Sequence, residues 1–560
     1  MAFTENVAAS RFNLVYLALT VLLLQYVPHC ASITQTVGQP WPLPQSYKSG
    51  TNVQSLDADT FLFRVVGNDC DLLREAIVRY YKIIFRTAAD AAPSHEDEVL
   101  RFQPKSDPTV LEWDQYNTDE SVLGSLDVKV EDKCVDIGYP SLDMDESYAL
   151  TVTTGSATLV GKSIWGVMRG LETFSQLVYE VGLGAYQVND TEIQDFPRFA
   201  HRGVLLDTSR HYLSLRSILQ NLDAMAYNKM NVFHWHIVDE ISFPYESRTF
   251  PQLNIQGAYQ PAYTHTYTQE NVRTVIEYAR LRGIRVVPEF DTPGHSLSWG
   301  KGQPDLLTKC CTKGVFNGHY GPVDPTVNST YTFLTGLVDE LSKVFADHYF
   351  HLGGDEVSFG CWESNPNITQ FMNKTGMGRN YAKLEEYYMQ RLVDIVAKKN
   401  MGYIIWQEVI DNGVKVRPDT VVEVWRSGQE AELAKVTNLG YRAILSSCWY
   451  LNYISYGSDW MTYYKCDPQR FNGTSQQKEL VIGGELCMWG EYVDSTNVIS
   501  RTWPRGSAVA ERLWSAEEVK FPEAAEARME EQRCRLIGRG LPAEPVSGAG
   551  HCRHEYDPDQ

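Results

Sequence analysis

The chain has 560 residues, of which 43% are apolar and 21% charged, so it can bury a large core and is neither disordered nor of low complexity. Its formal net charge of −20 opposes the phosphate contacts that supply most affinity for nucleic acid, which excludes nucleic acid as the expected partner. Aromatic side chains make up 12% of the sequence and leave flat apolar surfaces available for a ligand such as a sugar ring.

The N-terminal segment carries the pattern of a secretory signal. An uncharged apolar run, Leu14–Leu24, follows Arg11 and precedes the small residues Ala31 and Ser32. The run is shorter than the ~20 residues that a membrane-spanning helix needs. We therefore expect residues 1–31 to be a cleaved signal peptide, with a signal anchor as the alternative, and we expect no membrane span in the mature chain.

The remaining sequence agrees with passage through the secretory pathway. Of the eleven cysteines, Cys30 leaves with the signal and the others enter an oxidising compartment in which disulfides persist. The C-terminal letters DPDQ do not form an endoplasmic-reticulum retention signal, so a lysosomal or a secreted protein is expected. The N-x-S/T glycosylation motifs lie at Asn189, Asn328, Asn367, Asn373 and Asn472.

Residues 38–196 predict a smaller α+β domain. Two helical patterns, Leu72–Arg86 and Ile164–Tyr179, lie among alternating strands such as Leu123–Val130 and Tyr148–Thr153.

Residues 197–560 predict a catalytic domain with a (β/α)₈ barrel fold and a C-terminal extension. Ser214 and Thr268 can cap amphipathic helices between two pairs of strands, and the second helix is expected to stop at Gly283. The link 409–420 is too short for a full helix, so one unit is expected to be irregular. The eight predicted strands are Gly203–Asp207, Val232–Asp239, Ile284–Asp291, Tyr349–Glu356, Tyr403–Glu408, Val421–Trp425, Arg442–Ser446 and Leu480–Leu486.

Polar and aromatic residues collect where these strands end, which is where active sites of parallel barrels lie. Carboxylates, an arginine and several aromatic rings on one rim suit a sugar, since rings stack on its C–H faces and charged groups bind its hydroxyls. In chain order the rim carries Asp207, Arg210, His236, Asp239, Glu289, Asp291, His295, Asp355, Glu356, Trp406, Glu408, Trp425, Trp449, Tyr450, Asn452, Trp489 and Glu491.

The adjacent acids Asp355 and Glu356 are the most suggestive pair. Gly353 and Gly354 before them allow close approach of the backbone, and two carboxyls in one low-dielectric pocket cannot both ionise freely. One of the two is expected to be protonated, the division of roles that glycoside hydrolysis uses.

A metal site is the competing interpretation of the histidines. His234 and His236 alternate on one strand face, with His211, His295 and acids nearby, and could form a zinc pair, but no third ligand has convincing spacing. Core histidines explain the pattern equally well, and we expect neither a metal ion nor a cofactor.

Five motifs in order resemble the β-N-acetylhexosaminidases of glycoside hydrolase family 20, in particular the animal lysosomal α and β subunits. The resemblance runs from Trp41 to the last cysteine and implies removal of terminal, non-reducing β-linked GlcNAc or GalNAc from glycoconjugates. The motifs are HRGVLLDTSRHY, NVFHWHIVDEISFPYES, RVVPEFDTPGHSLSWG, HLGGDEVSFGCW and VIGGELCMWGEYVD.

The resemblance also implies residue roles. In that family the substrate's 2-acetamido carbonyl attacks C1 and forms an oxazolinium intermediate. Glu356 is implied as general acid and then base, Asp355 as the group that orients the acetamido N–H, and Tyr450 as the donor to the acetamido oxygen. Asp239 and His295 are implied to tune the acid, and Arg210, Trp406, Trp425, Trp489, Glu491 and Asn452 to bind substrate.

The family's disulfides map onto three cysteine pairs. They are Cys70–Cys134, Cys310–Cys361 and Cys534–Cys552. Cys487 is expected to be free, and Cys311, Cys448 and Cys466 have no assigned counterpart.

The sequence departs from the family after the site tyrosine. The α subunit continues with Leu-Asn-Arg and the β subunit with Leu-Asp-Leu, whereas this chain has Leu451, Asn452 and Tyr453. Loss of the arginine implies a preference for neutral substrates over sulfated ones.

The resemblance further implies a homodimer, or a heterodimer with a related subunit, in which Tyr456 reaches the neighbouring site.

Two other functions compete with this one. The first is a catalytically silent glycan-binding relative, which would not need Asp355, Glu356 and Tyr450. The second is an enzyme of chitin processing, which differs in substrate and not in chemistry.

Overall fold

The computed structural model describes residues 35–85, 121–135, 137–182, 184–259, 264–453 and 455–555. The predicted signal peptide and the C-terminal tetrapeptide lie outside the described residues. Within those ranges, no helix combines the length and the apolar character needed to cross a lipid bilayer.

In the described residues of the first part of the chain, seven strands form one sheet and two helices pack together beside it. Its spatial order is β1-β7-β4-β5-β3-β2, with β6 beside β7. The predicted helices and strands of this region are present, except that Tyr179 begins a strand and does not end a helix and that Leu123 and Gly124 precede β3. Arg86, the predicted end of the first helix, lies outside the described residues. The elements are β1 (Ser46–Leu56), β2 (Leu62–Val65), α1 (Asp71–Ile84), β3 (Ser125–Val130), β4 (Tyr148–Thr153), β5 (Ser156–Gly161), α2 (Ile164–Leu177), β6 (Tyr179–Gly182) and β7 (Ala185–Asp195).

The rest of the chain forms a closed barrel of eight parallel strands, as predicted. Around it the order is β10-β13-β14-β15-β16-β17-β8-β9, so the first strand closes against the last. The barrel strands are β8 (His201–Asp207), β9 (Val232–Val238), β10 (Arg285–Phe290), β13 (Tyr349–His351), β14 (Gly402–Trp406), β15 (Val421–Val424), β16 (Arg442–Leu445) and β17 (Val481–Met488), and the hairpin β11 (Leu307–Thr312) and β12 (Val315–Val323) lies outside the barrel.

Helices connect the barrel strands and cover their outer face. Ser214 accepts a hydrogen bond from Ser217 N, and Thr268 forms a capping box with Asn271, so both predicted caps start helices. Between β14 and β15 the chain forms only a four-residue helix, as the short link predicted. The helices are α3 (Leu215–Tyr227), α4 (Gln252–Gly257), α5 (Gln269–Arg280), α6 (Leu297–Gly302), α7 (Asn328–Val344), α8 (Phe359–Ser364), α9 (Pro366–Lys374), α10 (Tyr381–Ala397), α11 (Glu408–Asp411), α12 (Gln429–Asn438), α13 (Trp460–Tyr464), α14 (Ser475–Glu479), α15 (Val498–Thr502), α16 (Arg505–Trp514) and α17 (Pro522–Gly538), followed by a 3₁₀ turn, Arg553–Glu555.

A buried ion-pair cluster ties the sheet to the barrel. The Glu146 carboxylate accepts hydrogen bonds from Arg169 Nε at 2.8 Å and from Arg202 Nη2 at 2.6 Å, and Arg202 lies on β8. The two guanidinium groups lower the pKa of Glu146 although burial opposes this. The first barrel strand is therefore held by the N-terminal domain.

Four disulfides link the described cysteines. Three join the pairs that the resemblance implied, and Cys487 is free and buried, with Cys311 also free. The fourth joins Cys448 to Cys466, two residues that the resemblance left unassigned. It closes the segment that follows β16.

Candidate active site

The acid pair lies on a turn that glycine makes possible. Gly353 and Gly354 have φ of 68° and 96°, and a Cβ on Gly353 would meet Asp291 Oδ1 at 1.6 Å. The predicted strand Tyr349–Glu356 is therefore wrong at its end, because β13 stops at His351 and the left-handed turn begins. The turn places Asp355 and Glu356 above the barrel.

The two acids have different surroundings. The Asp355 side chain is 12% exposed, whereas that of Glu356 is 56% exposed and its backbone has a left-handed φ of 49°. The two carboxyls therefore do not share one buried environment. Asp355 is the enclosed acid of the pair, and Glu356 is open to solvent.

His295 lies between the pair and the rest of the site. Its Nε2 is 3.6 Å from Asp355 Oδ2 and 3.7 Å from Glu356 Oε2, and its Nδ1 is 3.3 Å from Asp239 Oδ2. Burial opposes a charge on the ring, but the surrounding carboxyls of Asp291, Asp355 and Asp239 raise the pKa of His295 to about 11. His295 is thus a cation that lies within 3.7 Å of the Asp239, Asp355 and Glu356 carboxylates.

Asp291 lies beneath the turn. Its Oδ1 accepts the Gly354 N–H at 2.9 Å, which holds the acid-bearing turn on β10. Burial, together with the charge of Asp355, raises the pKa of Asp291 well above its usual value. A buried carboxyl with a raised pKa beside Asp355 avoids placing two negative charges together under the turn.

Arg210 and Asp239 form the other side of the site. Arg210 Nη2 lies 3.0 Å from Asp239 Oδ2, its Nη1 lies 3.2 Å from Asp207 Oδ2, and its guanidinium is 5.1 Å from the Trp489 ring centroid. Although burial opposes it, the hydrogen bonds from His236 and His295 and the charge of Arg210 lower the pKa of Asp239 below its usual range. An arginine held in this way is preorganised for sugar hydroxyls.

Four aromatic rings form a cluster at the centre of the rim. The Trp406 centroid lies 6.0 Å from that of Trp489 and 6.5 Å from that of Trp425, and Tyr450 lies 6.0 Å from Trp425 and 6.2 Å from Trp489. Glu289 accepts the Trp406 Nε1–H at 2.8 Å, and Glu408 accepts that of Trp425 at 2.7 Å. The rings therefore have fixed orientations and can enclose a small apolar group.

The segment after β16 brings further residues to this cluster. Tyr450 is buried and pairs with Cys487 through a β-bridge, and burial raises its pKa well above the usual value. The Oδ1 atom of Asn452 is buried and has no hydrogen-bond partner within the described part of the chain. Glu491, which follows Trp489, is exposed. Such groups are suited to bind the polar edge of a ligand.

The histidines that suggested zinc lie among carboxylates. His234 Nδ1 is 2.6 Å from Glu485 Oε1, and His236 Nδ1 is 2.5 Å from Glu289 Oε2. His211 lies apart from them, bonded through Nδ1 to the Gly490 carbonyl at 2.5 Å. Although ligand atoms of His234, Glu289 and His351 lie within 4.8 Å of one another, paired opposite charges account for this cluster.

Two of the rim acids hold tryptophan side chains in place, a role that the sequence does not predict. Glu289 and Glu408 are among the predicted rim residues, but their bonds to Trp406 and Trp425 each join the ends of two different strands of the closed barrel. Burial, with the charge of Asp355, raises the pKa of Glu408 to about 7. The sequence carries a signal for Glu408 alone, which stands two residues after Trp406 at the predicted strand end.

A parallel barrel whose rim joins a carboxyl pair, a clamped arginine and an aromatic pocket defines a glycoside hydrolase. Comparison with known families specifies it further. Residues 199–517 match "Glycosyl hydrolase family 20, catalytic domain", and residues 40–177 match "beta-acetyl hexosaminidase like". The chain belongs to glycoside hydrolase family 20 and is a β-N-acetylhexosaminidase.

Curated relatives share nearly the full length. The chain is 49% identical over 521 residues to the human β-hexosaminidase subunit β, covering 92% of this chain and 90% of that one. It is 48% identical over 526 residues to the mouse subunit α, covering 92% and 95%. Among solved structures, a chitobiase of Flavobacterium johnsoniae is similar with a TM-score of 0.75 and 29% identity, over 90% of this chain and 73% of that one.

Proposed function

We propose that Asp355, Glu356 and Tyr450 carry out substrate-assisted removal of terminal GlcNAc or GalNAc, with neutral substrates preferred. The observation that supports these roles is the position of His295, within 3.7 Å of both acids while Asp355 is buried and Glu356 is exposed. The buried acid has a carboxyl oxygen without a hydrogen-bond partner in the described residues and can accept an N–H group, and the exposed acid is open to a departing alcohol.

In the first step Glu356 donates its proton to the glycosidic oxygen as the C1–O bond breaks. The acetamido oxygen forms a new bond to C1 from the opposite face, and an oxazolinium ion and a free alcohol result. Asp355 accepts a hydrogen bond from the acetamido N–H and stabilises the positive charge that develops there. Tyr450 donates its hydroxyl hydrogen to the acetamido oxygen and aligns it for attack.

In the second step the Glu356 carboxylate removes a proton from water. The water oxygen attacks C1 and displaces the acetamido oxygen, which releases N-acetylhexosamine with the β configuration retained. The walls of Trp406, Trp425 and Trp489 exclude other water from the acetamido group. Arg210, Asn452 and Glu491 bind the ring hydroxyls, and Asp239 and His295 set the proton affinity of the acids.

The preference for neutral sugars is supported by Tyr453. Its ring is 67% exposed and lies 6.1 Å from the Tyr450 centroid at an interplanar angle of 27°. The subunit-α arginine is replaced here by an uncharged ring. Arg426, beside Trp425, does not take its place, because its Nη2 is directed to Glu408 Oε1 at 2.8 Å.

Sulfated substrate tests this preference. We expect kcat/KM for 4-methylumbelliferyl GlcNAc to exceed that for its 6-sulfate, and Tyr453→Arg to raise the ratio of sulfated to neutral turnover about tenfold through a charge-assisted contact. Tyr453→Leu serves as the uncharged control. Comparable turnover of both substrates by the wild type would contradict the preference.

We also infer a dimer, as homodimer or as heterodimer with a related subunit, in which Tyr456 contacts the partner's site. Tyr456 is fully exposed, as a residue reaching towards a partner must be in the isolated chain. Light scattering combined with activity measurement tests this, and a fully active monomer would contradict it.

Residues 1–31 are proposed as a signal peptide, 38–196 as the N-terminal domain and 197–560 as the catalytic domain of a lysosomal or secreted glycoprotein. Four of the sequon asparagines, Asn328, Asn367, Asn373 and Asn472, are exposed. Asn189 is half-buried, and its amide nitrogen donates to the Gly50 carbonyl at 3.1 Å. We therefore expect glycans at the four exposed positions first, which peptide mass spectrometry can measure.

A further inference from the structure

A chain of buried side chains leads from the acid pair to the wall of the acetamido pocket. It begins at His295, which lies between the acid pair and Asp239. Asp239 Oδ2 is 2.8 Å from His236 Nε2, and His236 Nδ1 is 2.5 Å from Glu289 Oε2. The chain ends at the other oxygen of Glu289, which accepts the Trp406 indole hydrogen at 2.8 Å.

Glu289 thus connects two parts of the site that have different tasks. Oε1 orients the Trp406 ring in the wall of the pocket. Oε2 binds His236, which in turn binds Asp239. Glu289 is completely buried on β10, where an ionised carboxyl persists only with close partners.

We infer that Glu289 is a positioning residue for this reaction: it fixes the Trp406 ring in the acetamido pocket and holds His236 as the cation that supports Asp239 behind His295. The inference relies on the proposed roles of Asp355 and Glu356. It adds a residue that touches neither the sugar nor the reacting atoms.

The charge on His236 depends on its two carboxylate neighbours. Burial opposes that charge, but Glu289 on one side and Asp239 on the other raise the pKa of His236 to about 10. His236 is therefore protonated over the acidic and neutral range and donates both ring hydrogens. A neutral ring can donate only one, which would leave Asp239 or Glu289 without this bond.

Other charged groups face this row of buried side chains, so one substitution does not remove all of the charge around His236 and Glu289. Arg210 Nη1 lies 3.3 Å from His236 Nε2 and opposes its charge. Two histidines lie beside Glu289: His234 at 3.1 Å and His351 at 3.2 Å. His234 is also 2.6 Å from Glu485, and His351 is also 3.6 Å from Glu423. The buried Glu423 is a matched control, because it belongs to the same cluster and its backbone pairs with that of Trp406, but its carboxylate accepts no hydrogen bond from Trp406 or His236 within the described residues.

The experiment measures kcat and KM for 4-methylumbelliferyl GlcNAc from pH 3.5 to 8 in four variants of the full-length protein. In Glu289→Gln, His236 loses a counter-charge, so its pKa falls into the assay range and kcat should decline by roughly 10- to 100-fold as pH rises past it. KM should rise about tenfold, because a charged acceptor for the Trp406 N–H is lost.

Three further variants separate the two tasks. Trp406→Phe should raise KM and keep the wild-type pH profile. His236→Gln should lower kcat without the new titration and leave KM near wild type. Glu423→Gln should retain the wild-type pH profile and KM, and thereby control for general disturbance of the barrel core.

The inference is overturned if Glu289→Gln and Glu423→Gln have the same KM and pH profile. If Glu289→Gln does not fold, the inference still fails should His236→Gln show wild-type kcat or Trp406→Phe wild-type KM. Its failure is distinguishable from that of the proposed function, because Glu356→Gln would then remain impaired while Glu289→Gln did not.

Discussion

The inside of the barrel contains two layers of opposite character, separated by two residues along each strand. The lower layer is apolar and includes Val232, Val287, Tyr349, Ile404, Val421 and Ile444. Two residues further on, β9, β10, β13 and β15 carry His234, Glu289, His351 and Glu423, all buried. Because inward-facing side chains recur every second residue, the same strands build both layers.

The difference between the two layers indicates that one mainly stabilises the fold and the other mainly serves the active site. Packed apolar side chains stabilise a barrel more reliably than buried ion pairs, whose desolvation offsets most of their attraction. The charged layer lies directly below the acids and the tryptophans. We therefore attribute the charge of Glu289 in this layer to the placement of Trp406 and His236, and the lower layer to folding alone.

The largest expected effect lies at the rim. Asp355→Asn removes the charge that we propose stabilises the acetamido group, so kcat should fall about 10²- to 10³-fold while the melting temperature stays near wild type. Steady-state kinetics and calorimetry measure the two quantities. A variant of wild-type activity would mean that Asp355 does not contact the acetamido group.

The next effect is expected in the lower layer. Ile404→Ala on β14 creates a cavity and should cost about 2–4 kcal/mol of folding free energy, with kcat per folded molecule unchanged. Urea unfolding followed by tryptophan fluorescence measures this cost. A large loss of kcat in the folded variant would break the distinction between the layers.

The smallest effect concerns Glu385, a buried acid on α10 outside both layers. Its Oε2 accepts Asn412 Nδ2–H at 2.8 Å, and burial raises its pKa to about 8. The folded state keeps a proton that the unfolded state releases above its ordinary pKa of 4.5, so stability falls between pH 4.5 and 8.

Glu385→Gln removes that titration. The variant should melt roughly 1–3 °C above the wild type at pH 8 and equal it at pH 4. An equal difference at both pH values would show that packing, and not the proton, causes the change.

Much of the barrel could be predicted because each parallel strand is a local apolar run. The rim residues follow from the strand ends, and the resemblance added their roles. The bonds Trp406–Glu289 and His234–Glu485 could not be predicted, since they join strands that meet only when the barrel closes. The early end of β13 depends on the left-handed turn at Gly353, and the Cys448–Cys466 pair on the path of the intervening segment.

The most direct test of the central claim, that Glu356 protonates the leaving group, compares two substrates in Glu356→Gln. Wild type and variant are assayed on chitobiose, whose leaving alcohol needs a proton, and on 2,4-dinitrophenyl GlcNAc, whose leaving group does not. We predict that kcat/KM falls about 10²- to 10⁴-fold on chitobiose and far less on the dinitrophenyl glycoside. Equal losses on both substrates in a folded variant would contradict the claim.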